Sequence, residues 1–148
     1  MKFRICKFNE LTAMEMYEIA RSRFEVFAME QKIIQEPKLD GIDNECYQVF
    51  YMDNNRVVAY CRIVPAGMAY NNISLGRVLV LNDYRRKGLA LIMIKEALKF
   101  IKEELQEDTV VLSGQVYAKG LYESVGFKII SDVYDEVGIP HVKMKIEL

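Results

Sequence analysis

Ser74-Leu-Gly-Arg-Val-Leu-Val-Leu-Asn-Asp-Tyr-Arg-Arg-Lys-Gly-Leu-Ala90 is the stretch that decides the fold of this chain. Its first half predicts a strand in which leucines face one way and valines the other. The leucines are Leu75, Leu79 and Leu81, and the valines are Val78 and Val80. Because both faces are apolar, we expect this strand at the centre of a sheet that is covered on each side.

The residues from Leu89 to Leu105 predict a helix that packs on this strand. Apolar side chains recur there at intervals of three and four, with lysine and glutamate on the opposite face. A helix start leaves backbone N–H groups free, and Gly88 lets a bulky anion approach the main chain closely. The junction therefore predicts a pyrophosphate cradle rimmed by Arg85, Arg86 and Lys87. A solvated basic helix start with a packing glycine explains these residues equally well.

Composition and charge describe one domain with a sizeable core. The chain has 148 residues, 51% of them hydrophobic, and a net charge of −1, which argues against general nucleic-acid binding. Cys6, Cys46 and Cys61 are widely spaced and accompany a single histidine, so neither a disulfide framework nor a zinc site is expected. Apolar runs of transmembrane length and a signal peptide's hydrophobic region are both absent from the sequence. We therefore expect a cytoplasmic protein without bound metal and without nucleic-acid or membrane partners.

The predicted order of elements is β-α-β-β-β-α-β-α-β-β, which is α+β in class. The first helix begins at Asn9 or Thr12 and ends near Met29. Its predicted buried stripe consists of Tyr17, Ala20, Phe24 and Phe27. The last two strands, residues 127–130 and 141–146, are predicted as a pair joined by a long connection.

Residues 33–43 predict an acidic loop, because a proline and a glycine break the helical periodicity there. The loop carries Glu36, Asp40 and Asp43. Simple solvation accounts for these carboxylates. The functional alternative is that they attract a cationic amine to a neighbouring cleft.

Two motifs together resemble one family. The Gly-x-Gly-x-x-Gly fingerprint and the nucleoside-triphosphate loop are absent, which argues against an ordinary dehydrogenase or NTPase. Arg85-x-x-Gly88-x-Ala90 is similar to the acetyl-CoA signature of the GCN5-related N-acetyltransferases (GNAT), and residues 115–127 resemble a second segment of that family. Residues 23–31 and 138–141 resemble its ElaA-type branch. The resemblance implies one domain over residues 1–148, with a mixed, largely antiparallel sheet flanked by helices.

The resemblance also implies where acetyl-CoA, the expected cosubstrate, would bind. The central strand would splay from its neighbour so that its backbone pairs with the pantetheine arm, and its N–H groups would polarise the thioester carbonyl. The implied pantetheine residues are Val78, Leu79, Val80 and Gln115, and the implied pyrophosphate residues are Arg85, Arg86, Lys87, Gly88, Leu89 and Ala90.

Tyr122 matches the family tyrosine that donates a proton to the leaving CoA thiolate. A core aromatic on a short helix is the alternative interpretation. The surrounding motif favours the catalytic one, since Gln115 lies seven residues earlier and Gly126-Phe127 follows. Gln115 stands where the family usually has asparagine, and it keeps a donor and an acceptor on a longer arm.

The general base is where this sequence departs from the family. Two family positions for a catalytic glutamate hold Ser74 and Val110 here. The remaining candidates are Glu30, Asp43 and His141, of which the two carboxylates are favoured because the acidic loop would also draw in a cationic acceptor. Two arginines in apolar strands, Arg62 and Arg77, need carboxylate partners if buried, or bind an anionic part of the acceptor.

The sequence thus predicts an acyl-CoA-dependent N-acyltransferase that transfers acetyl from acetyl-CoA to a primary amine. Direct attack in a ternary complex is expected, because the motifs contain no cysteine to form an acyl-enzyme. A non-catalytic acyl-CoA-binding or regulatory domain is the main alternative, and a module that contacts nucleotide or DNA phosphate is a third. The acceptor amine stays open, and a homodimer is compatible with the sequence.

Overall fold

The computed structural model describes residues 2–148, and a sheet of eight strands forms its centre. The strands are β1 (Arg4–Lys7), β2 (Tyr47–Asp53), β3 (Arg56–Val64), β4 (Ile73–Val80), β5 (Thr109–Gln115), β6 (Lys128–Ile129), β7 (Tyr134–Glu136) and β8 (Ile139–Glu147). The helices are α1 (Ala13–Arg23), α2 (Leu89–Glu103) and α3 (Lys119–Ser124), and a π-helical segment, Phe24–Glu30, continues α1.

The strands lie in the order β1-β2-β3-β4-β5-β8-β6, with β7 also paired to β8. Neighbours are antiparallel except for β4 and β5, which run parallel. Helices cover both faces of this sheet, so the predicted α+β class and its mixed, largely antiparallel sheet are confirmed.

One strand was not predicted. The connection before the last strand contains β7, whose Tyr134 pairs with His141 across a tight hairpin. Val137 and Gly138 both have positive φ, 50° and 82°, which is the backbone of a two-residue hairpin turn. Valine rarely adopts this conformation, so Val137 is an unusual residue for such a turn.

The predicted buried stripe of α1 was wrong. Thr12 caps the helix as expected and forms a capping box with Glu15. Tyr17 and Phe24, however, are 63% and 45% exposed. The side facing the sheet is instead largely polar, consisting of Glu18, Ile19, Ser22 and Arg23. These polar groups are buried because they find partners, and partners on distant strands leave no trace in local periodicity.

A β-bulge in β4 separates its leucines. Leu75 packs in the cluster that contains α2, whereas Leu79 packs in the cluster that contains Ile19 of α1. The register with β3 shifts between Tyr60 and Arg62, so that the leucines cannot share one face as predicted. Both faces of the strand are nevertheless covered, as expected for a central strand.

Candidate active site

The candidate site is a cleft where the two parallel strands diverge. Within residues 2–148, β4 and β5 pair only at Ile73–Val110 and Ser74–Val111. Beyond Ser74, the edge of β4 that faces β5 is therefore without a strand partner, and a cavity of about 460 Å³ opens there. An unpaired strand edge inside a cleft presents backbone N–H and C=O groups to a ligand.

Most of the residues predicted to bind acetyl-CoA line this cavity, together with Tyr122 and His141. The predicted binding residues in its wall are Val78, Leu79, Val80, Arg85, Arg86, Gly88, Leu89, Ala90 and Gln115. Lys87 lies outside the wall, with its Nζ 5.3 Å from the centroid of the Tyr84 ring. The cavity therefore gathers the separate motifs of the sequence into one place.

The start of α2 is open to this cavity. Gly88 is the N-cap residue at φ 78°, and no side chain of the described residues caps the helix there. Arg86 also has a positive φ of 64°, so the chain turns sharply before the helix. A Cβ atom placed on Gly88 would meet nothing within 4 Å. Free N–H groups, the helix dipole and open space make this helix start suitable for a bulky anion such as a pyrophosphate.

Arg85 is held between β4 and the π-helical segment. Its Nε donates to the carbonyl oxygen of Val80 at 2.8 Å, which ties the guanidinium to the end of β4. Its Nη1 and Nη2 lie 2.6 and 3.0 Å from the two carboxylate oxygens of Glu30. Glu30 therefore lies beside the α2 start, paired with an arginine, and outside the cavity wall.

A second contact joins the π-helical segment to the opposite side of the cleft. The amide of Gln115 donates to the side-chain oxygen of Gln31 at 3.2 Å, and Gln31 donates to the hydroxyl of Tyr117 at 3.4 Å. Gln31 and Gln115 both line the cavity. The end of the π-helical segment thus reaches across the cleft, from Arg85 on one side to Gln115 on the other.

Tyr122 is buried in the cavity wall. It is 6% exposed, and burial raises the pKa of its phenol above the ordinary value. The phenol therefore stays protonated at neutral pH and is able to donate a hydrogen bond. Its ring lies directly on Gly114, where a Cβ atom would come within 3.1 Å of Tyr122 Cε2. Glycine at position 114 is what lets the ring pack against β5.

His141 begins the part of β8 that pairs with β5, and it is 5% exposed. Its Nδ1–H donates to the carbonyl oxygen of Ile139 at 2.7 Å, which assigns the proton of the neutral ring to Nδ1. The other nitrogen, Nε2, lies 3.3 Å from a carboxylate oxygen of Glu136. Because both residues line the cavity, Nε2 is placed to accept a proton there, and Glu136 would stabilise the resulting imidazolium.

Asp43, the third candidate base, forms ion pairs with two arginines. One of its carboxylate oxygens lies 2.7 Å from Arg23 Nη1 and 2.9 Å from Arg62 Nη1. Asp40 accepts from Arg62 and, at 3.3 Å, from Arg77. Asp43 lies outside the cavity wall, so its role in this structure is to anchor the end of the acidic loop.

The same network anchors the middle of the loop. Arg23 Nη2 donates to the carbonyl oxygen of Lys38 at 2.6 Å, and residues 36–38 form part of the cavity wall. Hydrogen bonding to Arg62 holds the pKa of Asp40 below its ordinary value. The hydrogen bonds of Asp40 and Asp43 in turn raise the pKa of Arg62 despite its burial. Side chains buried under the loop therefore fix its shape.

Three contributors to this site were not predicted from the sequence. Gln31 and Glu136 join it through contacts between distant segments; Gln31 ends the segment that resembles the ElaA-type branch, but that resemblance assigned it no role. Arg23 was placed in a helix without a buried partner, and only the folded chain brings it to Asp43. Fully buried cationic side chains are rare without a carboxylate, so Arg23 becomes a candidate only once its burial is known.

The part of the chain that the structure describes has neither a metal-binding cluster nor a membrane-spanning helix. No group of three or more His, Cys, Asp or Glu side chains is placed to hold a metal ion. Residues 2–148 also contain no helix with the length and apolar character needed to cross a membrane.

The cavity thus brings together the helix start of one motif and Tyr122 of the other. A family model described as an acetyltransferase (GNAT) domain matches residues 14–148. This chain belongs to the GNAT family. GNAT proteins are acyl-CoA-dependent acyltransferases.

Comparisons with individual proteins show to which branch of the GNAT family this chain is related. The chain is 42% identical to the UPF0039 protein C11D3.02c of Schizosaccharomyces pombe over 143 residues, or 95% of this chain and 93% of that protein. The crystal structure of Escherichia coli ElaA superposes with a TM-score of 0.90 at 26% identity, covering 99% and 100% of the two chains. An acyl-CoA N-acyltransferase from Pseudomonas aeruginosa gives the same TM-score, 0.90, and identity, 26%, and covers 99% of each chain. The protein is therefore of the ElaA type within the GNAT family.

Proposed function

We propose that this GNAT protein transfers the acetyl group of acetyl-CoA to a primary amine by direct attack in a ternary complex. The observation that carries the proposal is the cleft itself. One continuous cavity contains an unpaired strand edge, an open helix start, a protonated tyrosine and a histidine whose Nε2 faces the carboxylate of Glu136. These four features are what acyl transfer to nitrogen requires: a place for the thioester, a place for the phosphates, an acid and a base.

The residues present fit acetyl-CoA along the length of the cavity. The backbone of Val78 to Val80 would pair with the pantetheine arm, and N–H groups at Val78 and Leu79 would donate to the thioester carbonyl. The N–H groups at the start of α2 would bind the pyrophosphate, with Arg85 and Arg86 adding positive charge. Lys87, at the outer side of the same turn, would extend that charge toward a further phosphate.

The proton transfers are assigned to His141 and Tyr122. As the amine nitrogen bonds to the thioester carbon, His141 Nε2 accepts the proton that the nitrogen loses. When the carbon–sulfur bond breaks, Tyr122 donates its hydroxyl proton to the departing thiolate. We prefer His141 to the other two candidate bases because it lines the cavity, whereas Glu30 and Asp43 are engaged by arginines outside the wall.

The cysteines support direct attack over an acyl-enzyme. Burial raises the pKa of Cys61 to about 12 and that of Cys46 to about 11, so neither is a thiolate at neutral pH. Cys6, Cys46 and Cys61 are all buried outside the cavity wall. Three free buried thiols also fit the cytoplasmic location that we propose for this protein.

A non-catalytic acyl-CoA-binding domain is the alternative, and two measurements separate it from an enzyme. Acetyl-CoA at a hundredfold excess over Kd should raise the stability by about 2.7 kcal/mol in a thermal-shift assay, and NAD and ATP by much less. Gly88→Val should remove that shift, because its side chain would occupy the space above the helix start.

The second measurement is release of free CoA, followed with a thiol reagent while a panel of primary amines is offered. Amine-dependent release that exceeds the amine-free rate would establish the transferase. A thermal shift without release for any amine would support the binding domain instead. Equal shifts with acetyl-CoA, NAD and ATP would contradict both.

A further inference from the structure

Arg77 is an unusual residue in the wall of the cleft. It lies in the bulge of β4, next to Gly76, and has a positive φ of 52°, a conformation that side-chain-bearing residues rarely adopt. Its side chain is 22% exposed and lines the cavity together with Glu36 and Lys38 of the acidic loop. A charged residue is therefore held at a strained backbone position in the wall of the cleft.

The guanidinium of Arg77 is poorly satisfied. Its one hydrogen bond within residues 2–148 is the 3.3 Å contact from Nη2 to Asp40, an oxygen that already accepts from Arg62 at 2.6 Å. An arginine offers five N–H donors in a rigid fork that matches a carboxylate. Most of the N–H donors of Arg77 therefore have no partner in the described chain, and the residue lies in the cavity wall.

The ion pairs around Arg77 are shared with other arginines. Among the described residues, direct ion pairs join the guanidinium groups of Arg23, Arg62 and Arg77 to two carboxylates, those of Asp40 and Asp43, and Glu36 adds a negative charge that acts on Arg77 at longer range. The buried Nε atoms of Arg23 and Arg62 find no hydrogen-bond partner among the described residues. Burial, and then the charge of Arg62, lower the pKa of Arg77. A ligand carboxylate beside Arg77 would give it a partner that it does not share with Arg62.

The strand registers place Arg77 across the cleft from the proposed base. Ser74 is level with Val111, so Arg77 is about level with Gly114, whose neighbour on β8 is Val142, next to His141. An acceptor in the cleft would therefore have the guanidinium on one side and the imidazole on the other.

We propose that Arg77 binds a carboxylate of the acceptor, so that the substrate is an amine that also carries a carboxylate, such as an amino acid. The carboxylate would accept hydrogen bonds from the N–H groups of Arg77 that have no partner, and the amine would point toward the thioester and His141. This assignment rests on the proposed transferase function and names the substrate class for that same site.

The test compares amines that differ only by the carboxylate, namely lysine with cadaverine and phenylalanine with phenethylamine. We expect kcat/KM to favour the carboxylate-bearing member of at least one pair by about tenfold or more in the wild-type protein, since charge-assisted hydrogen bonds from a guanidinium to a carboxylate are strong. In Arg77→Gln that preference should fall to near unity, and Arg77→Lys should restore part of it.

Lys38→Gln is the matched control, because it removes one positive charge from the same wall without touching Arg77. The control should keep the preference, and all variants should keep the thermal shift with acetyl-CoA. Should Arg77→Gln not fold, hexanoate serves with the wild type: a carboxylate without an amine should compete with the acceptor and not with acetyl-CoA.

Several outcomes would overturn the assignment. Wild-type kcat/KM that is equal for both members of every pair, the same loss of preference in Lys38→Gln, or no competition by hexanoate would each do so. Failure of the proposed function looks different, since no amine of either kind would then release CoA.

Discussion

At the scale of single residues, the role of Tyr122 as proton donor can be tested by one substitution. Tyr122→Phe keeps the ring that packs on Gly114 and deletes only the hydroxyl. We expect kcat to fall by about 10²-fold or more, because a positioned proton donor contributes on that order. The apparent Kd for CoA should stay within about twofold, since the ring keeps the shape of the wall.

The control for this prediction is Tyr17→Phe, an identical change on the exposed face of α1. Steady-state kinetics with a saturating amine measure both variants. A wild-type kcat in Tyr122→Phe, with single-turnover data showing that chemistry limits the rate, would leave Tyr122 as a packing residue.

His141 carries the second prediction at this scale. A histidine base accepts a proton only when it is neutral, so kcat/KM should rise with pH as the imidazolium deprotonates. His141→Gln should lower kcat/KM at neutral pH and remove that ascending limb. Glu136→Gln should keep the limb, because it changes the carboxylate 3.3 Å from Nε2 and leaves the imidazole in place.

Glu30→Gln is the comparison that separates the two kinds of base. If Glu30 were the base, this variant would lose activity at neutral pH and recover part of it at high pH, where more of the amine is unprotonated. On the present geometry it should chiefly weaken the hold on Arg85 and change the KM for acetyl-CoA. A wild-type pH profile in His141→Gln would exclude the imidazole.

At the scale of elements, the acidic loop is fixed by ion pairs. The pKa of Asp40 is lowered in the folded state by its hydrogen bond to Arg62, whereas an unfolded aspartate titrates at about 3.9. Its contribution to stability is thus fully present above about pH 4 and is lost as the pH falls below that value. Asp40→Asn should lower the free energy of unfolding by about 2 kcal/mol at pH 7 and flatten its decline in acid.

Urea unfolding between pH 3 and pH 7 measures this effect, at steps of about half a unit that bracket the aspartate range. Asp132→Asn, an exposed aspartate in the connection before β7, is the matched control and should follow the wild type. Parallel stability curves for the wild type and Asp40→Asn would mean that the carboxylate of Asp40 is as solvated in the folded protein as in the unfolded chain.

At the scale of the whole molecule, local sequence patterns were enough to predict the order of the elements, the type of sheet and the position of the cleft. Leu89 to Ile101 has an uninterrupted helical period, and Gly88 before it marks the helix start, so α2 was predictable. The α1 stripe was not, because Glu18 and Arg23 are buried through partners more than nineteen residues away in sequence. The same holds for Gln31 and Glu136, whose places in the site come from contacts between segments.

The short parallel pairing of β4 and β5 has a mechanical consequence. The sheet consists of two wings, β1 to β4 and β5 to β8, which share backbone hydrogen bonds along a seam that covers only Ile73–Ser74 and Val110–Val111. In the proposed pose the pantetheine arm lies between the wings and pairs with β4, as a ninth strand would. The substrate would then serve as a cross-brace, and loading it would stiffen the two walls that must hold the thioester and the amine in line.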